Sequence, residues 1–241
     1  MLPCMTLLRC LAFLVLVGRV VHILATSMAV SVDGATSQFA DHVREGYRPM
    51  LPIHEDALLA AIAAGREVVV LDDKSVGAIV FARRAEDEPS VCMIGGRTSS
   101  SKAPFWSFPK GHPDADEDDV TGALREVKEE VGLDVTDSIF PDVFDETRYT
   151  FTSHMHGDRW KAHAAFPDES RRPFVVYHKL VRFYLAVLPA EVPLLPQEAE
   201  VAAAEWVPLS SVLPRLPLED MRDRFASFVA SAAVQERLRS H

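Results

Sequence analysis

Gly111–Leu133 reads GHPDADEDDVTGALREVKEEVGL. Wound into a helix at about 100° per residue, Val120, Ala123, Leu124, Val127 and Val131 fall on one stripe that has to face a core. Glu126, Glu129 and Glu130 stand at i, i+3 and i+4 and group on another face, with only Lys128 interspersed. Carboxylates this close repel one another, and a bound divalent cation offsets the repulsion. Hard oxygen donors suit Mg²⁺, with Mn²⁺ as the alternative, because these ions combine carboxylates with water and substrate phosphates. Arg125 can pair with a carboxylate, and Glu117, two turns earlier, is the candidate partner that orients it. Gly132 ends the helix where a left-handed residue is wanted. Gly122, inside the helix, costs about 1 kcal/mol relative to alanine, which points to a close packing contact.

At every fixed position this segment resembles the Nudix box: Gly, five residues, Glu, seven residues, then Arg-Glu-apolar-x-Glu-Glu-x-Gly-apolar. Seven specified residues make a chance match roughly a one-in-a-million event at ordinary residue frequencies, so a merely acidic surface helix is a poor explanation. The resemblance implies an α/β/α sandwich around a mixed sheet, with Gly111–Leu133 as its loop–helix–loop. It implies that Glu126, Glu129 and Glu130, joined by the Gly111 carbonyl, hold Mg²⁺. Arg125 and Glu117 would steady the site, and Gly132 would be structural. The implied reaction is attack of water on a pyrophosphate phosphorus, with metal lowering the pKa of that water and a nearby carboxylate taking its proton. Family members often supply one more glutamate six residues before a tryptophan. Glu200 stands six before Trp206 in EVAAAEW and is the candidate base or extra ligand, with Glu198 as the fallback.

The substrate is read from a wider resemblance. GAIVFARR (Gly77–Arg84), FWSFPKGH (Phe105–His112), KLVRFYLAV (Lys179–Val187) and EVAAAEWVPL (Glu200–Leu209) look most like the diadenosine tetraphosphate hydrolase branch, which releases ATP and AMP. Lys110 abuts the metal site and is expected to meet phosphate, with His112 beside it. Tyr149, or Trp160 in the polar insert Ser153–Pro173, is the candidate to stack an adenine, while Arg171 and Arg172 meet phosphates. The competing reading of the insert is a hairpin tip with one aromatic folded back. A zinc site from His154, His156 and His163 lacks an evident fourth ligand. The same box also resembles mRNA-decapping and RNA 5′-pyrophosphate-removing members and diphosphoinositol phosphatases, for which Lys102, Lys110, Arg171 and Arg172 offer a modest basic pocket. A noncatalytic nucleotide-binding module is the remaining alternative, and the intact set of glutamates argues against it.

Around the box, the pattern is that of one folded catalytic domain. The 241 residues are 48% hydrophobic and 25% charged, ordinary for a packed protein and not for a disordered one. Asp and Glu outnumber Lys and Arg 35 to 25, a net charge of −10 that disfavours a nucleic-acid partner, while the resemblance implies a small nucleotide as substrate. Three cysteines (Cys4, Cys10, Cys92) exclude a disulfide framework and a CxxC metal site. Glu55–Ala64 reads as a helix stopped by Gly65, and Val68–Leu71, Val76–Arg83, Val91–Ile94, Val143–Thr152, Val175–Leu188 and Ala202–Pro208 read as strands. Glu219–Leu238 reads as one helix, and strict alternation assigns one of Phe183 and Tyr184 to the core and the other to a cleft. The expected domains are residues 75–241 as the hydrolase, 28–74 as an extension with a short helix, and 1–27 as a separate segment. That last segment is acid-free, with Arg9 and Arg19 around an apolar run too interrupted for a stable membrane span. A cleaved signal, an organelle presequence, and a start at Met28 that makes the protein cytoplasmic all fit it.

Overall fold

The computed structural model describes residues 42, 44–48, 51–83, 88–96, 104–152, 173–197 and 201–240. Glu198, Glu200, Trp160, Arg171, Arg172, Lys102 and the histidines of the insert lie outside the described residues, as does the segment 1–27. Two units are distinguished, one of residues 1–71 with 149–178 and one of residues 72–148 with 179–241.

Seven strands form one sheet: β1 (Val68–Ala82), β2 (Ser90–Gly96), β3 (Phe105–Ser107), β4 (Lys110–Gly111), β5 (Ile139–Thr152), β6 (Phe174–Leu188) and β7 (Val201–Pro208). The order is β3-β2-β1-β6-β5, with β4 on β1 and β7 on β2. β2 runs antiparallel to β1, β3 and β7. β6 runs parallel to β1, since hydrogen bonds join their starts (Phe174 N–H to Glu67 C=O, 2.7 Å) and their ends (Arg83 N–H to Leu188 C=O, 3.1 Å). The sheet is therefore mixed. Its alternation places two cores on opposite faces. Ala78, Val80 and Ala82 of β1 pack with Val127 and Val131 of α2 (Asp119–Val131), while Ile79 and Phe81 pack with Val212, Phe225, Phe228 and Val234. Those last four come from α3 (Leu209–Arg215), α4 (Glu219–Ala230) and α5 (Ala232–Ser240). This is the α/β/α sandwich that the sequence implied.

Three expectations are corrected. β1 is one strand through Asp72–Ser75, because the polar side chains at its centre find partners. The C-terminal helix breaks at Ser231, whose extended backbone and Oγ, accepting from Val234 N–H, start α5 as a cap. Phe183 and Tyr184 are both packing residues, Phe183 against the α3–α5 face and Tyr184 with Val76 and Ala123 under α2.

The other unit contains α1 (Pro52–Ala63), whose Leu58 and Ala61 pack on Phe174 and Val176. Phe151 and Tyr177 stack there at 5.0 Å, and Thr150 N–H donates to Arg48 C=O. Among the described residues no helix is long and apolar enough to cross a membrane.

α2 begins at Asp118, whose carboxylate accepts from Val120 N–H and Thr121 N–H. It ends at Gly132 with φ +74°, and a Cβ there would sit 2.8 Å from Leu195 Cβ. Gly122 lies so close to Val76 that an added Cβ would fall 2.9 Å from its Cγ2. Gly132→Ala therefore meets both an unfavourable backbone and a contact. It is expected to lower stability by about 1–2 kcal/mol, read as a shift in urea midpoint at unchanged slope. A midpoint equal to wild type would remove this account of the helix end.

Candidate active site

The last turn and a half of a helix is a poor place for negative charge, because the macrodipole there is already negative. α2 nevertheless carries Glu126, Glu129 and Glu130 at that end. Glu126 and Glu130 are 8% and 7% exposed, while Glu129 is open to solvent. The acids are organised by Arg125. Its Nε donates to Glu117 Oε1 (2.9 Å) and its Nη2 to Glu117 Oε2 (2.9 Å), a two-pronged grip. Nη1 donates to Glu126 Oε1 (3.0 Å) and Glu129 Oε2 (2.9 Å), and Nη2 also to the His112 carbonyl (2.8 Å). Those are five bonds for the five N–H donors a guanidinium possesses. Hydrogen bonding to Glu117, above all, raises the Arg125 pKa against the opposing effect of burial. In return, Arg125 and the Asp114 N–H hold the Glu117 carboxyl below its usual range.

Facing the helix is the Lys110–Gly111 strand, held on β1 by the Gly111–Val76 and Lys110–Gly77 pairings. The Lys110 N–H donates to Glu130 Oε2 (2.8 Å). Gly111 packs so tightly on Glu126 that a Cβ would fall 1.9 Å from Oε2, so any larger residue there would push the Glu126 carboxylate from its place. Glu130 is close enough to the buried Cys92 that its charge, added to burial, pushes that thiol up to about 12. Cys92 is thus an inert, protonated core residue.

These residues fit a hard divalent cation in their donor chemistry: two buried carboxylates, a third at the rim, an adjacent main-chain segment, and one guanidinium against the three acids. Among the described residues no three His, Cys, Asp or Glu side chains converge into a ready cage. A partial donor set of this kind matches an ion that keeps several waters and binds substrate phosphates.

Of the residues singled out in the sequence, Lys110, Gly111, His112, Glu117, Arg125, Glu126, Glu129, Glu130 and Gly132 come together on this loop and helix. Tyr149 belongs to the other unit, where its ring lies 5.9 Å from that of Phe151 and Arg48 sits over it at 5.8 Å. The chain leading toward Glu200 is pinned to the end of α2, with Leu195 N–H on Val131 C=O (2.9 Å) and Gln197 N–H on Glu130 C=O (3.1 Å). Trp206 Nε1 holds the same stretch by donating to Val192 C=O (2.7 Å).

A polar network on β1 had no signal in the sequence. Asp73 meets His112 Nε2 at 2.7 Å and the buried Lys179 Nζ at 2.9 Å, and Lys179 also donates to Ser75 Oγ (2.7 Å). Asp119, the first residue of α2, is clamped by Lys74 and by Arg182 Nη1 (2.7 Å). Burial pushes the Asp73 carboxyl up, but His112 and Lys179 outweigh it and bring its pKa from 3.8 to about 2. A depressed carboxylate contributes stability above its unfolded pKa and loses it as pH falls through the folded value. The stability difference between wild type and the Asp73→Asn, Lys179→Met double variant should therefore shrink by about 1–2 kcal/mol between about pH 5 and about pH 2, allowing for solvent screening. Urea titrations of both proteins at the two pH values read this directly, and a constant difference would contradict it.

The chain belongs to the NUDIX family, whose domain model matches residues 68–229. Its relatives include the m7GpppN-mRNA hydrolase of Saccharomyces cerevisiae, 40% identical over 70 residues that make up 29% of this chain and 6% of that protein. The mRNA decapping complex subunit 2 of Schizosaccharomyces pombe is 54% identical over 54 residues, 22% of this chain and 7% of that protein. This chain thus spans less than a tenth of either relative. Among solved structures, an Ap4A hydrolase of C. elegans in a binary complex is similar with a TM-score of 0.45 and 21% identity, over 65% of this chain and 97% of that one. The dihydroneopterin triphosphate pyrophosphohydrolase of E. coli gives 0.41 and 20%, over 65% and 94%.

Proposed function

We propose that this chain hydrolyses a phosphoanhydride bond of a dinucleoside polyphosphate, converting diadenosine tetraphosphate to ATP and AMP. The observation that carries the reading is the Arg125 node, which gathers Glu117, Glu126 and Glu129 beside the buried Glu130 and against the Lys110–Gly111 backbone. Glu126, Glu129, Glu130 and the Gly111 carbonyl would hold Mg²⁺ or Mn²⁺. Such an ion supplies neutralisation of phosphate charge and acidification of the attacking water. The protein's own part is to hold three acids oriented, to offer Lys110 and His112 to the phosphates, and to take the proton of water through Glu200. Lys110 suits that task, since its ammonium has no ion-pair partner among the described residues.

The similarity to decapping proteins favours a second reading, an RNA 5′-cap substrate. A net charge of −10 argues against a long polyanion and favours a small one whose charge metal can neutralise. Initial rates at millimolar Mg²⁺ on diadenosine tetraphosphate, capped RNA and a diphosphoinositol polyphosphate separate the readings. Equal amounts of ATP and AMP, at a kcat/KM at least about tenfold above the other two substrates, are expected. Faster release of cap nucleotide would replace the dinucleotide by RNA.

A further inference from the structure

We propose that Asp73 is a positioning residue for the metal-binding loop, acting through His112 on the Gly111 carbonyl. The inference rests on the reading of Gly111 and the helix glutamates as metal ligands. β1 holds the loop at three successive points: Gly77 pairs with Lys110, Val76 pairs with Gly111, and Asp73 takes the His112 ring at 2.7 Å. His112 is fixed at its other end too, its carbonyl accepting from Arg125 Nη2 at 2.8 Å. The Gly111 carbonyl and the His112 N–H share one planar peptide unit. A His112 tied at ring and carbonyl therefore sets the direction in which the Gly111 oxygen points. The Gly111–Val76 pairing and the tethered His112 together define that plane.

Asp73 can do this because it is held in turn. Lys179, 6% exposed, presents its ammonium to Asp73 at 2.9 Å and to Ser75 Oγ at 2.7 Å. A buried cation requires a counter-charge, which explains an acid at the centre of a strand. The ion pair fixes the carboxylate, and the carboxylate fixes the imidazole. Partners one step removed from a metal ligand typically alter metal affinity 10–100-fold when lost.

Removing Asp73 alone strands the Lys179 charge and invites unfolding, so the pair is replaced together. Asp73→Leu with Lys179→Met removes the ion pair and the hold on His112. Asp73→Asn with Lys179→Met removes the ion pair but leaves an acceptor for the His112 ring. Mn²⁺ binding to each full-length protein is read by electron paramagnetic resonance of the free ion, with thermal melts alongside. The leucine variant is expected to bind Mn²⁺ about tenfold more weakly than wild type, and the asparagine variant within about twofold of it. Equal affinities in the two variants, whether both weakened or both intact, would overturn the positioning role. Glu130→Gln is measured in parallel. If it too binds Mn²⁺ as wild type does, the metal reading of the box falls, and this inference with it.

Discussion

Glu130→Gln is expected to lower turnover on the preferred substrate at saturating Mg²⁺ by about 10³-fold while leaving the protein folded. Glutamine keeps the volume of the side chain and an oxygen that can accept from Lys110 N–H, the 2.8 Å contact made by the carboxylate. What is lost is the charge. In a structural role that loss would be harmless or favourable, because a neutral amide is cheaper to bury than an ion. Its position near the negative end of α2 points the same way, since removing charge there relieves the macrodipole. A fall in rate together with an equal or higher melting temperature thus separates a carboxylate kept for chemistry from one kept for packing. Turnover within tenfold of wild type would remove Glu130 from the reaction.

The box helix was legible because everything that shapes it is local. Its apolar stripe, its acids at i, i+3 and i+4, and its terminal glycine all lie within 23 residues, and Glu117, just ahead of the Asp118 cap, is near enough along the chain for its pairing with Arg125 to be guessed. The two-faced sheet was legible for a similar reason, since alternating small and large apolar residues in β1 and β6 mark strands buried on both sides. What escaped were relations between distant segments. Asp72–Ser75 looks like a turn by composition, yet Asp73 and Lys179, 106 positions apart, satisfy each other in the fold and make a continuous strand affordable. Arg182 reads as a strand residue of no special role, and only the fold brings it to Asp119 at the start of α2. The break at Ser231 was missed for the opposite reason: a serine in a helical pattern is a weak signal until its side chain is seen to cap the next helix.

Arg125→Lys should lower kcat/KM by about 10²-fold and stability by about 2 kcal/mol, although charge is conserved. The guanidinium makes five hydrogen bonds to four groups, two of them as a fork onto Glu117. An ammonium has three donors and no fixed plane. At least two of those bonds must go, each a charge-assisted contact worth roughly 1.5–3 kcal/mol before solvent replaces part of it. Which acceptors lose out decides the kinetics: releasing the His112 carbonyl frees the loop that carries Gly111, and releasing Glu126 or Glu129 returns their mutual repulsion to the helix end. Glu117→Gln attacks the same node from the other side, turning an NH₂ group toward a guanidinium that needs an acceptor. If the two residues act as one unit, the double variant will lose little more than the worse single one, with a coupling of about 0.5–3 kcal/mol. Additive losses in kcat/KM, or a lysine variant as fast as wild type, would mean that Arg125 serves only as a countercharge, and that the orientation of the acids is set elsewhere on the loop.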